Sequence, residues 1–170
     1  MDSNKLRELQ APLKSQYKDS PESAIITLSS EGKIGDGITC KVDTGKAMVE
    51  AGLHPATGGD GLAACSGDML LDALVACAGV TLNAVATAIG VSLGEKTHVT
   101  AEGDLDFRGT LGVSKEAPVG FKEIRLTFHL DTDAEQDQID SLIKLTERYC
   151  VVFQTLNVKP ELVTANKVIG

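Results

Sequence analysis

The stretch Met69–Leu93 most constrains what this chain can become. It is apolar and long enough to cross a bilayer. Yet Asp68, Asp72 and Asn83 lie in or beside it, and no Lys or Arg flanks its start. Charges inside a membrane span are expensive, and the many Ala, Gly and Thr residues favour close protein packing. The stretch therefore predicts a buried core helix from Asp68 to about Ile89 rather than a membrane anchor. At about 22 residues it runs roughly 33 Å. Ser66 is a plausible N-cap and Asp68 complements the positive helix end. Gly90 and Gly94 are stop signals. A helix apolar on nearly every face must be covered all round. A sheet would supply one cover, and another element or a second copy of the chain the other.

The remaining pattern surrounds this helix with strands. Ser23–Ser30 is rich in β-branched residues, Glu31–Gly37 is turn chemistry, and Ile38–Val42 and Lys46–Glu50 form two further strands joined at Asp43-Thr44-Gly45. Together they predict an antiparallel meander. Gly52–Gly67 is a Gly-rich loop leading into the helix. Thr97–Phe107 and Phe121–Leu130 alternate as two strands, with Arg108–Pro118 as a loop between them. Asp133–Tyr149 is an amphipathic helix with Thr132 or Asp133 as cap, followed by a short helix from Cys150 to Leu156 and a closing strand at Leu162–Val168. Lys5–Tyr17 is a short helix or an arm, interrupted by Pro12. Strands, helix, strands, helix, strand is the order of an α+β fold, expected as one domain over residues 1–170.

Composition narrows the function. The net charge is −8 and no basic run occurs, so nucleic acid is not an expected partner. With no Trp, two Tyr and four Phe, stacking platforms for bases are lacking too. The first nineteen residues are polar and charged, which predicts no signal peptide and a cytoplasmic protein. Its four cysteines (Cys40, Cys65, Cys77 and Cys150) are then expected as thiols rather than structural disulfides. No CxxC or Cys–His spacing occurs, so neither a metal site nor a cofactor is expected. The GGDG run in the loop lacks the ending of a phosphate-binding loop and reads as tight-turn chemistry.

A thiol reacts as its thiolate, so a working cysteine needs neighbours that lower its pKa. Cys77 sits nearly three turns into its helix, beyond reach of the helix dipole. Donors or a cation from elsewhere must activate it; otherwise it is a small core residue. Cys150 begins a short helix whose free N–H groups favour its thiolate, with Arg148 nearby. Cys40 reads as a core residue of a strand and Cys65 as an accessible thiol before the long helix.

The run SGDMLLDALVACAGVTLNAVATAIGV (Ser66–Val91), together with RYCVVFQTL (Arg148–Leu156), resembles the two signature segments of the OsmC/Ohr peroxidase-like family. The resemblance extends over most of the chain, because strand order and helix placement also fit. It implies an OsmC-like fold: antiparallel sheets packed around a long central helix in an intertwined homodimer. It also implies a thiol peroxidase acting on organic hydroperoxides, with Cys77 as the peroxidatic and Cys150 as the resolving cysteine. A dithiol reductant, thioredoxin-like or lipoyl-type, would restore the pair. Three positions depart from the family pattern. Gly67 stands where family members place a Glu, ten residues before the first cysteine. No Arg occurs between Lys33 and Ser66, where the thiolate-stabilising Arg is expected; Lys41, Lys46 and His54 are the basic residues there. Val151 follows the second cysteine in place of a common Pro. Asp68 and His54 are thus the supporting candidates. The departures leave a second reading open: a non-catalytic dimer that binds an apolar small molecule in its interface pocket.

Overall fold

The computed structural model describes residues 48–57, 59–112 and 114–169, the backbone of 32–34 and 39–43, and residues 2, 4, 5, 8 and 11. The strand expected at Ser23–Ser30 and most of the Lys5–Tyr17 segment, Pro12 included, lie outside these; Lys5, Glu8 and Ala11 are helical. Three strands form an antiparallel meander: β1 (Gly32–Ile34), where no strand was expected, and β2 (Thr39–Asp43) and β3 (Met48–Gly52), which match two expected strands. They pair antiparallel in chain order, with Cys40 opposite both Ile34 and Ala51. The expected turn over Glu31–Gly37 is thus partly strand. After a 3-10 turn at Pro55–Thr57, the two-residue β4 (Ala64–Cys65) adds to β3 in parallel and delivers the chain into helix α1 (Ser66–Ile89).

Helix α1 starts two residues earlier than its pattern suggested. Its N-cap is Cys65, not Ser66, and no side chain caps it. At the other end Gly90 adopts φ 77°, the left-handed conformation glycine takes without steric cost. Its buried residues Leu74, Ala78, Leu82, Val85 and Ala86 recur at helical spacing and form one stripe. Leu82, Val85 and Ala86 join Val91 and Leu142 in the core cluster, with Val99, Phe128 and Ile143 packed against it. α1 is the one helix among the described residues long and apolar enough to span a membrane, but this stripe makes it the spine of the fold. On the opposite face, among the described residues, Ala73, Ala76 and Asn83 are exposed and Val80 is 73% exposed. Asp72 also emerges to solvent on that side.

Strands β5 (His98–Leu105) and β6 (Phe121–His129) form a separate antiparallel pair in register from His98↔His129 to Gly103↔Ile124. The His98 and His129 rings stack across the strands at 4.2 Å between centroids. The connection expected as a loop contains a single helical turn, α2 (Phe107–Thr110), capped by the Asp106 carboxylate, which accepts from the Arg108 N–H. Helix α3 (Gln136–Tyr149) buries Leu142 and Thr146, one turn apart. Its cap is Glu135, in a capping box with Gln138, rather than Thr132 or Asp133. Thr132 is engaged elsewhere: its hydroxyl donates to the Ser92 carbonyl at 2.7 Å and ties the end of β6 to the turn after α1.

Helix α4 (Val151–Asn157) follows without a linker. The closing strand expected at Leu162–Val168 does not form. The segment has no regular secondary structure, no ladder partner meets it among the described residues, and Leu162 and Val168 are 76% and 93% exposed. A β-branched sequence is strand-competent, but a strand exists only when another backbone satisfies its N–H and C=O groups.

Candidate active site

Cys150 ends one helix and begins the next. Its N–H donates to the Thr146 carbonyl at 2.9 Å, closing α3, and its own carbonyl accepts from the Gln154 N–H at 2.9 Å, opening α4. The Gln154 side chain reaches back to the Glu147 carbonyl at 2.8 Å and braces the corner. The extended backbone of Cys150, φ −73° and ψ 109°, swings the chain so that the first turn of α4 meets the middle of α1. The uncommitted N–H groups of that turn then face the Cys77 sulfur.

Cys77 and Cys150, distant in sequence, are both free thiols, and each influences the other's ionisation. Cys77 is half-buried; Cys150 is 1% exposed. Burial pushes the Cys77 thiol up. The Val152 N–H, the Cys150 thiol, the Val151 N–H and the Thr81 hydroxyl together outweigh it and hold Cys77 below its ordinary value. Cys150 moves the opposite way. Burial raises it, and the hydrogen bond and charge of Cys77 add to that against the Phe153 and Val152 N–H groups. The N–H groups of the short helix thus act on both sulfurs: they favour the Cys150 thiolate, as its position suggested, but burial and Cys77 outweigh them there. Of the two, Cys77 is favoured as the thiolate and Cys150 as the thiol.

The supporting candidates lie apart from this pair. His54 sits in the turn before Pro55: its Nδ1 accepts from the Ala56 N–H at 3.0 Å, and its ring stacks on Phe107 at 5.0 Å. Asp68 occupies the exposed first turn of α1, nine residues before Cys77 and so roughly 13 Å away along the axis. Neither enters the hydrogen bonding of Cys77 among the described residues. Cys65, at the N-cap, is farther along the same helix. Two arginines are committed to carboxylates: Arg125 bonds Asp104 at 2.9 Å and Arg108 bonds Asp106 at 2.9 Å. The residue missed from the sequence is Thr81. Its signal was the four-residue step from Cys77, which puts both side chains on one helix face.

A groove of 410 Å³ lies between α1, β6 and the α3–α4 corner. Leu74, three residues before Cys77, lines it with Ile124, Leu126, Phe128, Phe153 and Leu156, and Lys122, Glu123, Glu147 and Asn157 make its polar part.

A family model described as OsmC-like protein matches residues 58–164, more than half of the chain, and both paired cysteines fall inside the match. The chain belongs to the OsmC family. Solved structures share its fold at low identity. An OsmC-like protein from Mycoplasma pneumoniae is 16% identical, with a TM-score of 0.65 over 78% of this chain and 88% of that one. An organic hydroperoxide resistance protein OsmC from Legionella pneumophila is 21% identical, with a TM-score of 0.60 over 78% and 90%. The organic hydroperoxide resistance protein OhrB of Bacillus subtilis is 16% identical, with a TM-score of 0.55 over 80% and 94%. No curated protein matches the chain. The OsmC-like fold, α+β with antiparallel strands around a long helix, is as the sequence implied.

Proposed function

We propose that this OsmC-like protein is a thiol peroxidase that reduces organic hydroperoxides, with Cys77 peroxidatic and Cys150 resolving. The observation that carries the reading is the pairing of the two sulfurs under opposed influences, Cys77 favoured as thiolate and Cys150 as thiol. The Cys77 thiolate attacks the terminal oxygen of the hydroperoxide. The O–O bond breaks, an S–O bond forms, and the alkoxide leaves and takes a proton to become the alcohol. Cys77 is then a sulfenic acid. The Cys150 thiolate attacks its sulfur, an S–S bond forms, and hydroxide leaves as water once protonated. A dithiol reductant, thioredoxin-like or lipoyl-type, returns both thiols by exchange and ends as a disulfide itself. The cycle needs no metal or cofactor.

The groove beside Leu74 and Phe153 suits the apolar part of an organic substrate. The working unit is a homodimer in the cytoplasm: the exposed α1 face around Val80 is apolar surface that a second copy would cover. The same groove also favours a second reading, a dimer that binds an apolar molecule without turnover. Peroxide consumption by wild type and Cys77→Ser with a dithiol reductant separates the two. Rapid, saturable turnover lost in the variant supports the peroxidase; full turnover in the variant contradicts it; none in wild type favours binding alone.

A further inference from the structure

Among the described residues no cationic side chain contributes to the Cys77 thiolate, and the family's Arg and Glu are absent from the sequence. Main-chain donors fill part of that role. One side-chain oxygen stands one turn away on the same helix face as well. Thr81 lies one turn after Cys77 on α1, and a helical side chain leans back over the preceding turn. Its hydroxyl donates to the Cys77 carbonyl at 2.8 Å, on the helix face that carries the Cys77 side chain, and favours the thiolate.

A hydroxyl has one proton to donate, so it serves the carbonyl or the sulfur but not both. The Cys77 carbonyl does not depend on it, because that carbonyl already accepts the Thr81 N–H of the helical ladder. Withdrawing the hydroxyl leaves no acceptor unsatisfied. A bond to an ionised sulfur is stronger than one to a neutral carbonyl. We propose that Thr81 is a charge-responsive donor to Cys77: its hydroxyl rests on the Cys77 carbonyl while the thiol is protonated and turns to the sulfur when the thiolate forms. The same rotation serves the sulfenic acid, whose oxygen and sulfur both accept. The inference deepens the peroxidase reading and rests on it for its purpose, but its direct consequence is the acidity of one thiol.

The test is the pH dependence of Cys77 alkylation by iodoacetamide, read at the Cys77 peptide by mass spectrometry, in wild type, Thr81→Val, Thr81→Ala and Thr81→Ser. Loss of one hydrogen bond to a charged group moves the midpoint up by about 1 pH unit. Thr81→Val and Thr81→Ala are both expected to show this, and Thr81→Ser to return to wild type. The alanine variant keeps the question open to measurement if valine packs poorly, and circular dichroism establishes that each variant is folded. An unchanged midpoint in the folded valine and alanine variants overturns the proposal, as does a serine variant that behaves like alanine. Peroxide turnover is measured in parallel. A shifted midpoint without wild-type turnover removes the peroxidase and leaves Thr81 in place; turnover with an unshifted midpoint does the reverse.

Discussion

The Cys150 thiol lies against Cys77 and is held above its ordinary pKa, while Cys77 is held below its own. Burial alone would raise both. The difference is that the Val151 and Val152 N–H groups, Thr81 and Cys150 outweigh burial at Cys77, whereas at Cys150 the Phe153 and Val152 N–H groups do not outweigh burial and the neighbouring Cys77. Two thiols of the same chemistry are thereby shifted in opposite directions.

Removing Cys150 separates these roles. In Cys150→Ala, Cys77 is expected to reduce about one equivalent of organic hydroperoxide per chain and then stop as sulfenic acid, since no second thiol condenses with it. Trapping with dimedone, read by mass spectrometry, should label Cys77 in the variant and little in wild type. Sustained turnover in the variant at the wild-type rate would show that Cys150 is not the resolving residue.

The pH dependence follows from the signs of the two shifts. Cys77 is more acidic folded than unfolded, so its ionisation favours the fold at pH above its unfolded value. That contribution fades as pH falls through the lowered folded value. Cys150 acts in reverse: its contribution is present at low pH and is lost as pH rises toward its raised folded value. In a competitive alkylation series, Cys77 should therefore react at lower pH than Cys150, and the Cys150→Ala change should move the Cys77 midpoint upward by removing a donor. Equal midpoints for the two thiols would contradict the pairing.

Val80, on the uncovered face of α1, is a probe of the dimer. Val80→Glu places a charge where a monomer tolerates it, because the side chain is 73% exposed, but where a second copy could not. Analytical ultracentrifugation should find wild type as a dimer and the variant as a folded monomer. A variant with wild-type mass would mean that this face is not the interface.

Leu142 tests the core independently of the site. It is fully buried in the cluster with Leu82 and Val85. Leu142→Ala is expected to cost about 2–5 kcal/mol in chemical denaturation. A loss under about 1 kcal/mol would mean the core does not depend on this contact.

Much of this was legible in the sequence, for identifiable reasons. The apolar run beginning at Met69 has one soluble solution, a central helix, and the alternation in Thr97–Phe107 and Phe121–Leu130 marks β5 and β6 to within two residues. Boundaries fared worse where side chains had several possible uses. Thr132 reads as a cap, but it bonds Ser92 forty residues away, and Glu135 caps α3 instead. Leu162–Val168 has strand composition but its partner is not a local property. In the site, Cys77 and Cys150 were named through their signature segments. What activates Cys77 was not, because its donors are main-chain groups of Val151 and Val152, which carry no mark in the residue letters. His54 and Asp68 were basic and acidic residues in the right stretch of sequence, but they face other neighbours.

The most direct test is to treat reduced wild-type protein with one equivalent of an aryl or lipid hydroperoxide and map its cysteines by mass spectrometry. The account predicts fast loss of two hydrogens, localised to a single Cys77–Cys150 disulfide, with Cys40 and Cys65 left as thiols. No reaction, or slow oxidation spread over Cys40 and Cys65, would contradict it.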